Sequence, residues 1–151
     1  MTLTGDVLLL DTSALAKRYV APERHADRIR ALCETTEMFV AFSRLAQTEL
    51  ASALARRERA RELLPEQVRQ IWTLYSEHVR TEYQVVALTE QILLGAEALL
   101  LRQPLRAGDA LHVATALLLV ESGAVVRFVT ADRRQADAAT AEGLKVIFAG
   151  D

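Results

Sequence analysis

The chain has 151 residues and a single cysteine, Cys33, so it holds no internal disulfide and no cysteine-built zinc site. A reducing compartment suits it. No stretch approaches the roughly 20 apolar residues that span a bilayer, the longest largely apolar one running from Val113 to Val120. The opening MTLTGDVLLLD lacks a basic segment and carries Asp6 before a short apolar run, which reads as a first strand and not as a secretory signal. A cytoplasmic protein without membrane contact is expected. Basic charge is not in excess either, because the formal net charge is −2. The surface as a whole therefore does not advertise a polyanion partner, and any nucleic-acid contact must be local. Neither a GxGxxG nor a phosphate-loop pattern occurs, which leaves dinucleotide and P-loop nucleotide binding without a motif. There is no internal repeat and no linker rich in Gly, Pro or Ser, and the length suits one domain over residues 1–151. With 51% hydrophobic and 25% charged residues, such a domain buries a sizeable core and has apolar surface left for a subunit interface.

What is present is an alternation of strands and helices. Val7 to Leu10 is a continuous apolar run, as in a strand covered on both faces. A short helix over Ser13–Val20 follows, Pro22 breaks it, and Ile29, Leu32 and Cys33 give a second helix its apolar stripe. Met38–Phe42 reads as strand two, and helix formers dominate from Arg44 to Arg61. Pro65 opens a helix on which Val68, Ile71, Trp72, Tyr75 and Val79 recur at helical spacing, so the aromatics are core or interface residues. A strand over Tyr83–Leu88, a helix capped by Thr89, another from Gly108 and Asp109 to Leu119, a strand over Val125–Val129, a helix over Arg133–Glu142 and a strand over Lys145–Phe148 complete the pattern. This order predicts an α/β domain with a mainly parallel sheet flanked by helices, α-rich between Glu23 and Arg80.

Within that pattern stand four acids. Asp11, Asp109 and Asp132 lie where helices begin, two of them directly after apolar strands, and Glu49 lies within a helix beside the small residues Ala46 and Ala53. Each aspartate taken singly reads as a helix cap, and Glu49 alone as a solvated surface acid. Jointly they point elsewhere, because a parallel sheet gathers its strand ends at one edge, where acids distant in sequence meet. Clustered carboxylates repel and take raised pKa values unless a hard cation neutralises them. The pattern therefore predicts Mg²⁺, with Mn²⁺ substituting.

The segments LLLDTSALAKRYV, SRLAQTELASALARR, LRAGDALHVATALL and FVTADRRQADAATAEGL closely resemble the acidic motifs of PIN-domain ribonucleases, in particular VapC-type toxins of bacterial toxin-antitoxin pairs. The resemblance implies a three-layer domain, metal-dependent cleavage of RNA, homodimerisation and inhibition by a VapB-like antitoxin. It assigns Asp11, Glu49, Asp109 and Asp132 as the catalytic, metal-holding acids, with Asp137 as a substitute for Asp132, and Thr12, Ser13 and Thr130 as pocket hydroxyls or, equally, simple caps. Asp11 and Asp109 are expected to be the central ligands, while Glu49 and Asp132 serve a second ion or orient water. His112 is expected to pack or hydrogen-bond, not to transfer protons, and His25 and His78 to be solvated.

Lys17, Arg18, Arg106, Arg133 and Arg134 lie near the acids in sequence and are the expected RNA contacts, whereas Arg56, Arg57, Arg59 and Arg61 read as a solvated helix face. Competing readings fit less well. A haloacid-dehalogenase-type phosphatase needs an acid where Ser13 stands, and a phosphoacceptor receiver domain needs an acidic pair where Leu9 and Leu10 precede Asp11. A PIN-like module that binds RNA or protein without cutting would have little reason to keep clustered charges.

Overall fold

The computed structural model describes residues 5–20, 26–35 and 37–151. Pro22 and His25 lie outside them. The elements in chain order are β1 (Asp6–Leu10), α1 (Thr12–Tyr19), α2 (Ala26–Thr35), β2 (Phe39–Ser43), α3 (Arg44–Arg59), α4 (Pro65–Thr81), β3 (Tyr83–Val86), α5 (Glu90–Leu100), α6 (Ala107–Glu121), β4 (Val125–Thr130), α7 (Arg133–Ala141) and β5 (Lys145–Phe148). These bounds fall within about two residues of those read from the sequence. Where the chain leaves α3, Arg61 takes a left-handed φ of 60°, and at α5 the Thr89 hydroxyl accepts the Ile92 N–H at 3.3 Å, as a cap should.

The apolar run of β1 faces two ways, as alternate side chains on a pleated strand must. Leu8 and Leu10 enter one buried cluster, Val7 and Leu9 the other. The strands pair in the order β3-β2-β1-β4-β5, and every pairing is parallel. The chain thus steps outward from β1 to β3 and then crosses back beyond β1. Right-handed crossovers made in opposite directions lie on opposite faces of a sheet. Accordingly α1 to α4 cover one face with Leu15, Ile29, Leu50 and Tyr75, and α5 to α7 cover the other with Ile92, Leu99, Val113 and Ala139. Fully burying a large apolar side chain of this kind contributes about 1.5–3 kcal/mol. The reversal of direction falls between β1 and β4, where the carboxyl ends of neighbouring strands part and leave a crevice. Asp11 is fixed at its mouth, since its N–H continues the ladder by donating to the Val129 carbonyl at 3.0 Å.

Two residues expected at the surface are built into the first face instead. The buried stripe of α1 is Ala14, Leu15, Arg18 and Tyr19, so Arg18 follows Ala14 by one turn and points inward. It is only 7% exposed, and its guanidinium donates to the Tyr83 hydroxyl at 2.8 Å and to Glu82 at 3.1 Å. Arg18 is therefore engaged inside the fold, turned away from the surface on which it was expected to meet RNA. His78 is likewise not solvated. Its Nδ1 lies 2.7 Å from the Tyr19 hydroxyl, which also bonds that of Tyr83, and burial holds the imidazole below its usual pKa. Tyr75 packs against Tyr19, Phe42, Trp72 and Tyr83 with ring centroids 5.2 to 6.3 Å away, which makes it a core aromatic. Cys33 is buried, and its thiol is pushed up to about 11, chiefly by desolvation.

Candidate active site

A hollow of about 240 Å³ opens at the carboxyl edge of the sheet, and all four acids singled out in the sequence line it. Asp11, Thr12 and Ser13 reach it from the start of α1, Glu49 from α3, Asp109 and His112 from α6, and Asp132 and Gln135 from α7. Asp137 is exposed and does not line it. Geometry therefore favours Asp132 over Asp137 as the fourth acid.

Asp11 is 2% exposed, and every one of its donors is local to the crevice. Oδ1 accepts from the Ser13 hydroxyl at 2.7 Å and the Ala14 N–H at 2.9 Å, while Oδ2 accepts from the Thr130 hydroxyl at 2.6 Å. Burial raises its pKa, opposed by the nearby His112 and by those hydrogen bonds. Capping and pocket roles coexist here, because the oxygen that caps α1 belongs to a carboxylate that also faces the hollow. Asp132 does the same for α7, accepting from the N–H groups of Arg134 at 2.9 Å and Gln135 at 3.3 Å. Thr130 ties the two together: its oxygen accepts the Asp132 N–H at 3.0 Å while its proton goes to Asp11. Ser13 receives the Ala131 N–H at 3.0 Å, and Thr12 donates to Glu49 at 2.7 Å. None of the three hydroxyls is a simple cap.

Glu49 is held from two sides. The same Oε1 that accepts from Thr12 lies 2.6 Å from His112 Nε2, so that nitrogen carries the proton and donates. This bond is the main reason the Glu49 carboxyl sits below its usual pKa, with desolvation opposing. His112 is 2% exposed, and its Nδ1 is buried without a partner among the described residues. Its hydrogen-bonding role is the one expected. Asp109 Oδ1 accepts from the Gln135 amide at 3.1 Å. The N-terminal turn of α6 comes close to α3, since a Cβ added to Gly108 would stand 3.0 Å from Glu49 Oε2. Gly108→Ala should therefore raise helix stability by about 0.5–1 kcal/mol while displacing Glu49 by a few tenths of an ångström. The expected result is kcat lowered by up to about tenfold in a protein that melts no lower; unchanged kcat would show that Glu49 tolerates displacement.

Arg106, Arg133 and Arg134 are exposed on the segments that carry Asp109 and Asp132, and Lys17 is half-buried on α1; none of them lines the hollow. Arg133 stacks on Phe148, 3.7 Å from the ring centroid. Two polar lining residues were not expected there, Arg56 having been read as part of a solvated helix face and Gln135 not singled out. Arg56 follows Glu49 and Ala53 at seven and three residues, on one face of α3, and Gln135 follows Asp132 by three. Helical spacing carried both signals.

The donors around the hollow are carboxylate oxygens, the set that hard divalent ions take. Among the described residues no three His, Cys, Asp or Glu side chains converge into a ready-made cage. A hydrated divalent ion needs only one or two protein carboxylates, fewer than such a cage supplies.

Fold and hollow together define an α/β domain with an acid-lined crevice at its topological switch point. A PIN domain model matches residues 8–141, and the chain belongs to the PIN-domain family. Solved structures share the fold. The VapC20 toxin of Mycobacterium tuberculosis, described as cleaving the sarcin-ricin loop, aligns with a TM-score of 0.67 at 18% identity, covering 87% of this chain and 94% of that one. A toxin-antitoxin complex from Klebsiella pneumoniae gives 0.65 at 19%, with 95% and 98% covered. VapBC2 of Rickettsia felis, bound to promoter DNA, gives 0.66 at 11%, with 94% and 98% covered. No curated protein sequence matches the chain significantly.

Proposed function

We propose that the chain is a metal-dependent endoribonuclease and the toxin of a VapBC-type pair, with RNA as substrate and a VapB-like antitoxin and a second copy of itself as partners. The observation that carries this reading is the gathering of Asp11, Glu49, Asp109 and Asp132 around one hollow in a PIN fold. The fold's likeness to toxins of such pairs, one of them an RNA-cleaving toxin, supports it. Asp11 and Asp109 would hold the cation, with Glu49 and Asp132 placed for a second ion or for water. A bound Mg²⁺ or Mn²⁺ supplies neutralisation of the phosphate and a lowered pKa for water.

The remaining residues prepare those acids. Ser13 and Thr130 fix both oxygens of Asp11, Thr12 and His112 fix one oxygen of Glu49, and Gln135 orients Asp109. Positioned carboxylates of this kind reduce the reorganisation needed when phosphate charge builds up. His112 holds its proton on Nε2 against Glu49 and is a positioning residue. Among the described residues no helix is long and apolar enough to cross a membrane. The test is incubation of purified protein with total RNA, with Mn²⁺ and with chelator. Cutting that depends on the metal is expected; cutting that persists in chelator would end the metal reading, and no cutting under any ion would end the nuclease reading.

A further inference from the structure

A divalent ion in the acid-lined hollow would offset the field at the reacting phosphate, but the flanking backbone phosphates still need cationic groups beside the hollow. Among the described residues lining the hollow, Arg56 is the one side chain that carries a guanidinium or ammonium group. It shares the face of α3 that presents Glu49, and Ala53 between them leaves the space over that face open. Arg56 is exposed, and no hydrogen bond or ion pair engages its side chain among the described residues. Its neighbour Arg57, by contrast, turns to Glu62 at 3.5 Å. The Arg56 charge also acts on Glu49, where it helps hold the carboxyl below its usual pKa. A guanidinium with no hydrogen-bond partner among the described residues, beside carboxylates it does not bind directly, is arranged for an anion that arrives with the substrate.

Resting on the ribonuclease reading, we propose that Arg56 is a substrate-binding residue that clamps a phosphate of the RNA backbone next to the bond being hydrolysed. The planar fork donates two N–H groups to two phosphate oxygens, which an ammonium group does not reproduce. The contact is made before bond breaking and to the backbone, so it acts on RNA affinity equally across sequences.

The experiment compares wild type, Arg56→Ala, Arg56→Lys and Arg57→Ala as full chains on a fluorescein-labelled single-stranded RNA with Mn²⁺. Steady-state cleavage gives KM and kcat, and anisotropy titrations over a range of salt give the binding slope. Arg56→Ala is expected to raise KM by about tenfold, to change kcat by less than about threefold and to reduce the salt slope by about 0.7. Arg56→Lys should recover the slope but not all of the KM, and Arg57→Ala should match wild type. An Arg56→Ala protein with wild-type KM and slope overturns the proposal, as does one that loses kcat alone, which would make Arg56 a positioner of Glu49. If wild type fails to cut, the nuclease reading falls. The salt slope still decides on Arg56, because it needs no cleavage.

Discussion

Asp11→Asn is expected to abolish RNA cleavage, lowering kcat/KM by at least about a thousandfold, while the metal-free protein melts at a higher temperature than wild type. The two effects have one origin. Asp11 is buried, its ionised form is disfavoured there by desolvation, and three other carboxylates line the same hollow. An amide of the same shape removes that burden. It also keeps the local bonds: its oxygen still accepts from Ser13 and Ala14, and its NH₂ donates to the Thr130 oxygen, which has a second lone pair beyond the one used by the Asp132 N–H. Mn²⁺ should raise the melting temperature of wild type and leave the variant unchanged, because a ligand stabilises only the fold that binds it. Cleavage assays and thermal melts in chelator and in Mn²⁺ read both. Activity within tenfold of wild type, or a lower melting point in chelator, would mean that Asp11 is an ordinary helix cap.

The second large effect concerns stability. Arg18→Ala should destabilise the fold by about 2–4 kcal/mol, against a total for domains of this kind of about 5–15 kcal/mol. Removal strips a charged donor from the buried Tyr83 hydroxyl and from Glu82, and leaves a void among Tyr19, Tyr83 and the stem of α1. Glu82 is 44% exposed and stays hydrated, which keeps the loss below that of a fully buried pair. Urea unfolding measures the loss, and RNA titration at several salt concentrations should give the wild-type slope. Normal stability with a weakened slope would return Arg18 to the surface.

The contrast between Arg18 and Arg56 marks how much the sequence could say. Apolar runs and caps defined the strands and helices, because burial on both faces of β1 and helical spacing elsewhere are written in local periodicity. The four acids were legible for a related reason. Asp11 and Asp132 stand at strand ends, Asp109 in the first turn of a helix and Glu49 on a small-residue helix face, and the fold brings them together. What stayed hidden was which face of a helix meets which neighbour. Lys17 and Arg18 looked equivalent, yet only the latter shares the stripe of Ala14. His78 looked polar by its neighbours in sequence, while its partners Tyr19 and Tyr83 come from other elements. Arg56 and Gln135 lay at helical spacing from acids already noticed, but their role depends on the helix rotation that packing sets.

The hydroxyl of Thr130 joins an acid from the beginning of the chain to the cap of its last helix, and the pairing of β1 with β4 brings the two together. A nascent polypeptide therefore lacks a complete centre until the segment reaching Gln135 has left the ribosome. Assembly of the acid-lined hollow thus waits on every element from β1 through α7.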